Sequence, residues 1–378
     1  MLMIISMILM NSVIQYESLY KSNLDFFEDY KKEFSKVLES GWFVLGNNVK
    51  QFEEEFSNYC GSKYCAGLAS GLDALSLALQ NFSFNKGDEI IVPSNTYIAT
   101  ILSIINNGLL PVLVEPDLKT YNIDPEKIEE KISKKTRAIM IVHLYGKCCP
   151  MDKIMEIAAL NNLKVIEDCA QAHGASFDGK IAGTFGEFGA YSFYPTKNLG
   201  ALGDAGALIT DSEELYLRTK TLRNYGSTIK YKNDLVGVNS RLDEVQAAFL
   251  RVKLRHIGKI TAHKIKLANI YFENLSDDYI KPVRDERYFD VYHIFNVRTT
   301  NRDRLKAYLL ENSIHSEIHY PIPPNEQPAM KGIIDNQKTP ISKEIHETTL
   351  SLPISYGNTE EEIYRVCEVM NKFISNVR

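Results

Sequence analysis

The sequence predicts an α/β fold: a large domain on a mainly parallel or mixed sheet, followed by a smaller α+β unit. Three observations point there. Between about Lys63 and Thr210, apolar runs, turns and amphipathic runs follow one another repeatedly. The apolar runs are continuous and rich in β-branched residues, the pattern of strands covered on both faces. Beyond about residue 255 the alternation stops, and a single strand-like run is followed by helical stretches. Strand–helix alternation builds α/β domains, and its loss marks a second unit. The expected division is 12–255 and 256–378.

Taken in order, residues 12–40 read as a helix running up to GWFVLG (Gly41–Gly46). Leu72–Leu79 reads as a helix opened by a glycine. EIIVP (Glu89–Pro93), LLPVLV (Leu109–Val114), AIMIVH (Ala138–His143), LKVIE (Leu163–Glu167), AYSFY (Ala190–Tyr194) and ALIT (Ala207–Thr210) read as short buried strands. Asp124-Pro125 has the form of an N-cap with proline in the first turn. Met151–Ala159 fits a helix, and Leu242–Ile257 is a long amphipathic segment bridging to the second unit. There, VYHIFNVRT (Val291–Thr299) reads as a strand, and a final helix starts at Thr359.

The chain has 378 residues, 44% hydrophobic and 24% charged, which suits a soluble globular protein with a sizeable core. A formal net charge of −5 gives no basic surface for nucleic acid or an anionic membrane. An anionic ligand would have to be held by local groups. The six cysteines form no CxxC pair, so reduced thiols, a cytoplasmic location and no metal centre are expected. The start, MLMIISMILM, is about half of the ~20 apolar residues that span a bilayer. It lacks the basic segment and cleavage site of a signal peptide. A disordered or misassigned start is expected, with Met10 an alternative initiator.

In sheets of this kind ligands gather at the carboxyl ends of the strands. Asp168 follows LKVIE in DCAQAHG, and Lys197 follows AYSFYPT in SFYPTKNLGALGDAG (Ser192–Gly206). Singly, each has an ordinary reading: an N-cap for the acid, a surface position for the lysine. Together, one strand apart, they can grip a single nitrogen heterocycle. The carboxylate would keep a pyridine nitrogen protonated, and the amine would condense with the ring's aldehyde. Pyridoxal phosphate acts as an electron sink in this way. Lys197 should then have a lowered pKa, from desolvation and nearby cationic charge.

The phosphate would need N–H donors at a helix start. Ser70-Gly71-Leu72 offers them, although a lone glycine before a helix is more often a simple turn. Ser192 offers a hydroxyl. Tyr97, in SNTYIAT, could stack on the ring or serve the core. Gln171 could hydrogen-bond the ring hydroxyl. His173 could support ring or substrate, or be satisfied within the fold.

DCAQAHGA, SFYPTKNLGALGDAG, LRNYG (Leu222–Gly226) and VNSRLDEVQAA (Val238–Ala248) resemble the sugar-nucleotide aminotransferases of the DegT/DnrJ/EryC1/StrS group, from about Gly41 to the carboxyl end. The resemblance implies an aspartate-aminotransferase-like, fold type I pyridoxal-phosphate enzyme and a homodimer with active sites at the subunit interface. It implies that Lys197 bonds the cofactor and shuttles the proton, with Asp168 the partner of the ring nitrogen. Gln171 would lie near the ring oxygen and Tyr97 would stack. Gly71, Leu72 and Ser192 would cradle the phosphate, and Asn239 would reach the phosphate of the other subunit.

GLDAL (Gly71–Leu75), GWFVLG, HLYG (His143–Gly146) and IHYP (Ile318–Pro321) are similar to the branch acting on dTDP-linked 3-keto-6-deoxyhexoses. In that branch a pair such as His319-Tyr320 lies near the sugar nucleotide. L-glutamate is the implied donor, and the arginine for its carboxylate stays open among Arg223, Arg241 and others. Two departures stand out: KCCPMD (Lys147–Asp152) follows HLYG, and the amino-terminal residues match poorly. Amination at C4 of a dTDP-4-keto sugar is the nearest alternative, and a non-catalytic sugar-nucleotide binder a further one. A 3-dehydratase of the same fold would carry histidine where this chain has Lys197.

Overall fold

The computed structural model describes residues 13–377, so the apolar start lies outside the described residues. Seven strands form the central sheet: β1 (Tyr64–Leu68), β2 (Glu89–Pro93), β3 (Leu110–Val114), β4 (Thr136–Val142), β5 (Lys164–Asp168), β6 (Phe188–Ser192) and β7 (Gly206–Thr210). Their spatial order is β1-β7-β6-β5-β4-β2-β3. Only β7 runs against the others, pairing antiparallel with β1 and β6. The carboxyl ends of the remaining six strands therefore share one edge.

Successive side chains point to opposite faces. Ile91, Ile139, Ile141, Val165 and Ile209 enter one core, while Ile90, Val92, Met140, Ile166 and Leu208 enter the other. Both faces are covered, which is why the strands read as unbroken apolar runs. The helix α1 (Phe27–Ser40) packs through Tyr30 against Val252 and Ile260. The first face carries α2 (Asn47–Cys60), and the second carries α3 (Gly71–Asn81) and α4 (Ile98–Asn106). The first also takes α5 (Met151–Leu160), the second α6 (Glu213–Leu222), and the first α7 (Glu244–Leu254). The start of α2 is capped from a distance: Glu244 accepts from the N–H groups of Asn48 and Val49, both at 2.9 Å.

The carboxyl-terminal part centres on α8 (Ile257–Asn274) and the antiparallel pair β8 (Phe295–Arg298) and β9 (Thr349–Leu352), with α9 (Arg302–Glu311), α10 (Pro340–Thr348) and α11 (Glu360–Val377). Tyr271, Phe295, Leu305, Leu350 and Val366 share its core with Ile14. Ile14 reaches it as an extended segment, its N–H bonding the Ser313 carbonyl at 2.9 Å.

Several expectations need correcting. The helix expected over 12–40 starts only at Leu19: residues 13–18 are not helical, Leu19–Asn23 is a short helix N-capped by Ser18, Leu24–Phe26 is a 3-10 turn, and α1 follows from Phe27. Asp124-Pro125 opens only a 3-10 turn, Pro125–Lys127. The following EKIEEKISKK offers just Ile128 and Ile132 as anchors, too few to bury a helical stripe. The amphipathic segment Leu242–Ile257 is mostly α7, and the chain turns at Arg255-His256 before α8. β6 starts two residues earlier than AYSFY, and the strand in VYHIFNVRT shrinks to β8. β1, with sequence YCAGL, was missing from the expected set because it has no β-branched residue. All six cysteines are buried and unpaired. Among the described residues, no helix is long and apolar enough to cross a membrane.

Candidate active site

Asp168 is the last residue of β5, and Lys197 lies just beyond β6, its parallel neighbour. The Asp168 carboxylate is buried. It accepts from the Thr100 hydroxyl at 2.9 Å and from the Ala170 N–H at 3.1 Å. Burial raises its pKa, while these two donors and Lys197 pull it back. Lys197 is half-buried, and desolvation pushes its amine down to about 8, against the pull of Asp168. Roughly a tenth of that amine is free base at pH 7, against well under a thousandth for an ordinary lysine. The electrostatics is thus that of an amine able to act as nucleophile and base.

The first turn of α3 meets the end of β6 beside this pair. Ser70 caps α3 by accepting from the Asp73 N–H at 3.1 Å. A Cβ at Gly71 would stand 2.6 Å from the Ser192 Cβ, so only glycine lets the turn approach that strand end. Gly206 is equally confined: its Cβ would fall 2.3 Å from the Ser70 carbonyl oxygen. The result is a cradle of helix-start N–H groups at Gly71 and Leu72 facing the Ser192 hydroxyl region, suited to an anion. Ser240 ties in the next segment, donating to Asp73 at 2.7 Å and accepting from the Ala69 N–H at 3.1 Å. Its neighbour Asn239 is exposed.

A hydrogen-bonded chain closes the other side. Gln171 accepts from the Tyr145 N–H at 2.7 Å and donates to the Tyr320 hydroxyl at 2.9 Å. The Tyr145 hydroxyl bonds the His319 carbonyl, and the His319 ring bonds Ser351 at 2.9 Å. Tyr145 holds a left-handed φ of 60°, a strain of ~1–3 kcal/mol that its two hydrogen bonds help to hold. Tyr97, 54% exposed, lies 5.2 Å from the Tyr320 ring. Desolvation first, then Lys197, lowers His319 to about 4, so its imidazole is neutral.

His173 is fully buried against Tyr191 and Phe193, and burial pushes its pKa down to about 3, so it is a packed neutral ring within the fold. Arg223 is paired with Glu53 in the interior and donates to the Gly67 carbonyl at 2.9 Å, so its guanidinium is already engaged. Arg241 is half-buried and bonds Asn224 at 3.0 Å.

Thr100, Tyr145 and Ser240 join the site without having been expected there, although each lies in a quoted motif: SNTYIAT, HLYG and VNSRLDEVQAA. Beneath the site, Glu167 accepts from the N–H groups of Gly183, Phe185 and Gly186 at 2.6–2.7 Å and from His143 at 2.9 Å.

A model of the DegT/DnrJ/EryC1/StrS aminotransferase family matches residues 25–371. The chain belongs to this family. The aminotransferase is 49% identical, over 96% of its length and 99% of the relative's, to the dTDP-3-amino-3,6-dideoxy-alpha-D-galactopyranose transaminase of Aneurinibacillus thermoaerophilus. Its fold superimposes at TM-score 0.94 on S. venezuelae DesV in complex with a ketimine intermediate, at 38% identity and with 96% and 99% of the two chains covered. A Bacillus subtilis structure, ntda with bound cofactor PMP, matches at TM-score 0.91 and 30% identity, covering 96% of this chain and 86% of that one. The aminotransferase is a pyridoxal-phosphate enzyme with the fold of that class. The residues present fit the group: a carboxylate and a depressed amine at adjacent strand ends, beside a cradle that a single Cβ would fill.

Proposed function

We propose that this aminotransferase moves an amino group from L-glutamate to C3 of a dTDP-linked 3-keto-6-deoxyhexose, giving a dTDP-3-amino-3,6-dideoxyhexose and 2-oxoglutarate. The observation that carries the reading is the depressed Lys197 amine beside buried Asp168, in a chain 49% identical to a dTDP-3-amino-sugar transaminase.

Gly71, Leu72 and Ser192 would hold the cofactor phosphate, and Asp168 would serve the ring nitrogen. Tyr97 would lie against the ring, Gln171 would serve its oxygen, and Lys197 would be the amine that holds the cofactor. The bound cofactor supplies an electron sink for the carbanion formed when an amino-acid Cα–H is broken. The Nζ of Lys197 takes that proton and returns it, because its pKa near 8 lets both forms exist at working pH. Asp168, held by Thr100 and Ala170, keeps its carboxylate aimed at one place. The neutral His319 and the Tyr320 hydroxyl, fixed through Ser351 and Gln171, give the sugar nucleotide uncharged polar partners.

The segment 227–236 supports the homodimer. Tyr231 is 90% and Val236 98% exposed, an apolar display that a second copy would cover, next to exposed Asn239. In that dimer Asn239 serves the partner's phosphate. Six unpaired buried thiols support a cytoplasmic location.

Incubation with L-glutamate and either a dTDP-3-keto or a dTDP-4-keto 6-deoxyhexose tests the reading. A 3-amino product, identified by mass and NMR, is expected. A 4-amino product, or binding without turnover, would overturn it.

A further inference from the structure

A small, partly open cavity of about 20 Å³, room for one water, is lined by the Lys197 loop. Its lining brings Lys197 and Asn198 together with Glu17, Lys253 and Lys264. Lys253 comes from α7 and Lys264 from α8, and they are only 3% and 4% exposed. Glu17 comes from the extended segment ahead of the first helical turn and accepts from Ser22 at 2.7 Å. Lys264 donates to Asn198 at 2.9 Å and to the His293 carbonyl at 3.1 Å. Asn198 in turn donates to the Val291 carbonyl at 3.1 Å. A packing role alone would be better met by apolar side chains, since burying an ammonium costs several kcal/mol even when paired.

We propose that Lys264, Lys253 and Glu17 are positioning residues for the transamination. Lys264 anchors the Lys197 loop through Asn198. The two buried ammoniums, only partly balanced by Glu17, keep positive charge behind the Lys197 amine. The proposal rests on the reading that Lys197 is the cofactor's lysine.

The groups electrostatically coupled to Lys197 are Asp168, His173, His293, His319 and Lys264. Burial keeps the three histidines neutral, so they add no charge. On Lys197 itself desolvation is the first cause of the lowered pKa and Asp168 opposes it, while Lys197 in turn lowers Lys264, so the two amines face each other as like charges. Lys253 and Lys264 are themselves pushed down to about 8, chiefly by desolvation, with Glu17 pulling upward.

The test measures capture of pyridoxal phosphate by the apoprotein as a function of pH, followed by the ~420 nm band of the bound cofactor. Lys264→Gln keeps a donor for Asn198 and the His293 carbonyl but removes the charge. Its midpoint should rise by ~0.5–1 pH unit, the scale of one neighbouring charge in a partly screened interior. Lys264→Arg should stay close to the wild type. An unmoved midpoint in folded Lys264→Gln overturns the proposal, as does an equal rise in Lys264→Arg. Should Lys264→Gln not fold, Lys253→Gln is read by the same criterion. Lys197→Ala separates the two readings. If it still forms the band, the cofactor assignment falls and the proposal with it. If it is colourless while the Lys264→Gln midpoint stays put, the proposal alone falls.

Discussion

Glu167→Gln should destabilise the fold far more than its atom-for-atom similarity suggests. Glu167 is fully buried at the penultimate position of β5, one residue before Asp168. One carboxylate oxygen accepts from Phe185 and Gly186, both at 2.7 Å, and the other from Gly183 at 2.6 Å and His143 at 2.9 Å. The tautomer of His143 is fixed, because its Nδ1 accepts from the Cys149 N–H at 3.0 Å, so Nε2 carries the hydrogen. A glutamine can keep one oxygen as acceptor but must turn its NH₂ toward two donors. Two charge-assisted hydrogen bonds at ~1.5–3 kcal/mol each are lost, ~3–6 kcal/mol in all. That is a large share of the ~5–15 kcal/mol typical of a folded domain. Urea unfolding of the holoprotein would measure it, with the cofactor band as a second readout because the displaced strand end carries Asp168. A loss below ~1 kcal/mol, with the band intact, would refute the claim that this carboxylate anchors the site.

Asp168→Asn should keep the cofactor bound yet lower the turnover rate by on the order of 10²–10³, and unchanged kinetics would count against its role at the ring nitrogen. Gly71→Ala places a Cβ 2.6 Å from the Ser192 Cβ, where ~3.5–4 Å is normal, so the turn must move by about 1 Å. Pyridoxal-phosphate affinity should fall roughly 10–100-fold, measured by fluorescence titration of the apoprotein, and wild-type affinity would sink the cradle assignment. Arg223→Met leaves Glu53 charged and unpaired in the interior and should cost ~3–5 kcal/mol in urea unfolding; a near-neutral result would mean the pair is not the structural anchor described. The pKa of His173 is about 3 folded against about 6.5 unfolded, so the unfolded chain binds the extra proton and stability is lost as pH falls from 6.5 toward 3. His173→Phe should therefore lose less stability than wild type between about pH 7 and 5, and equal acid losses in the two proteins would contradict this sign.

By itself the sequence determined the strand-rich framework, the order of the motifs, and the pairing of Asp168 with Lys197 at the ends of consecutive strands. These are local signals: an apolar run announces a strand covered on both faces, and the residue after it sits at the ligand-binding edge. β1 escaped because YCAGL carries no β-branched residue and is held by pairing with β7, far away in the chain. At Arg255-His256 the turn itself has neither proline nor glycine, and the nearby Gly258 falls inside α8. Only the tertiary structure decided which side chains hold the chemical groups in place. Thr100 reaches Asp168, Gln171 reaches Tyr320, and Lys264 reaches Asn198, each across a gap in sequence that no periodicity spans. Periodicity and propensity describe neighbours along the chain, whereas crossover connections and helix packing choose neighbours in space. The charge state of Lys197 belongs to the second kind, because desolvation is a property of everything packed around the amine.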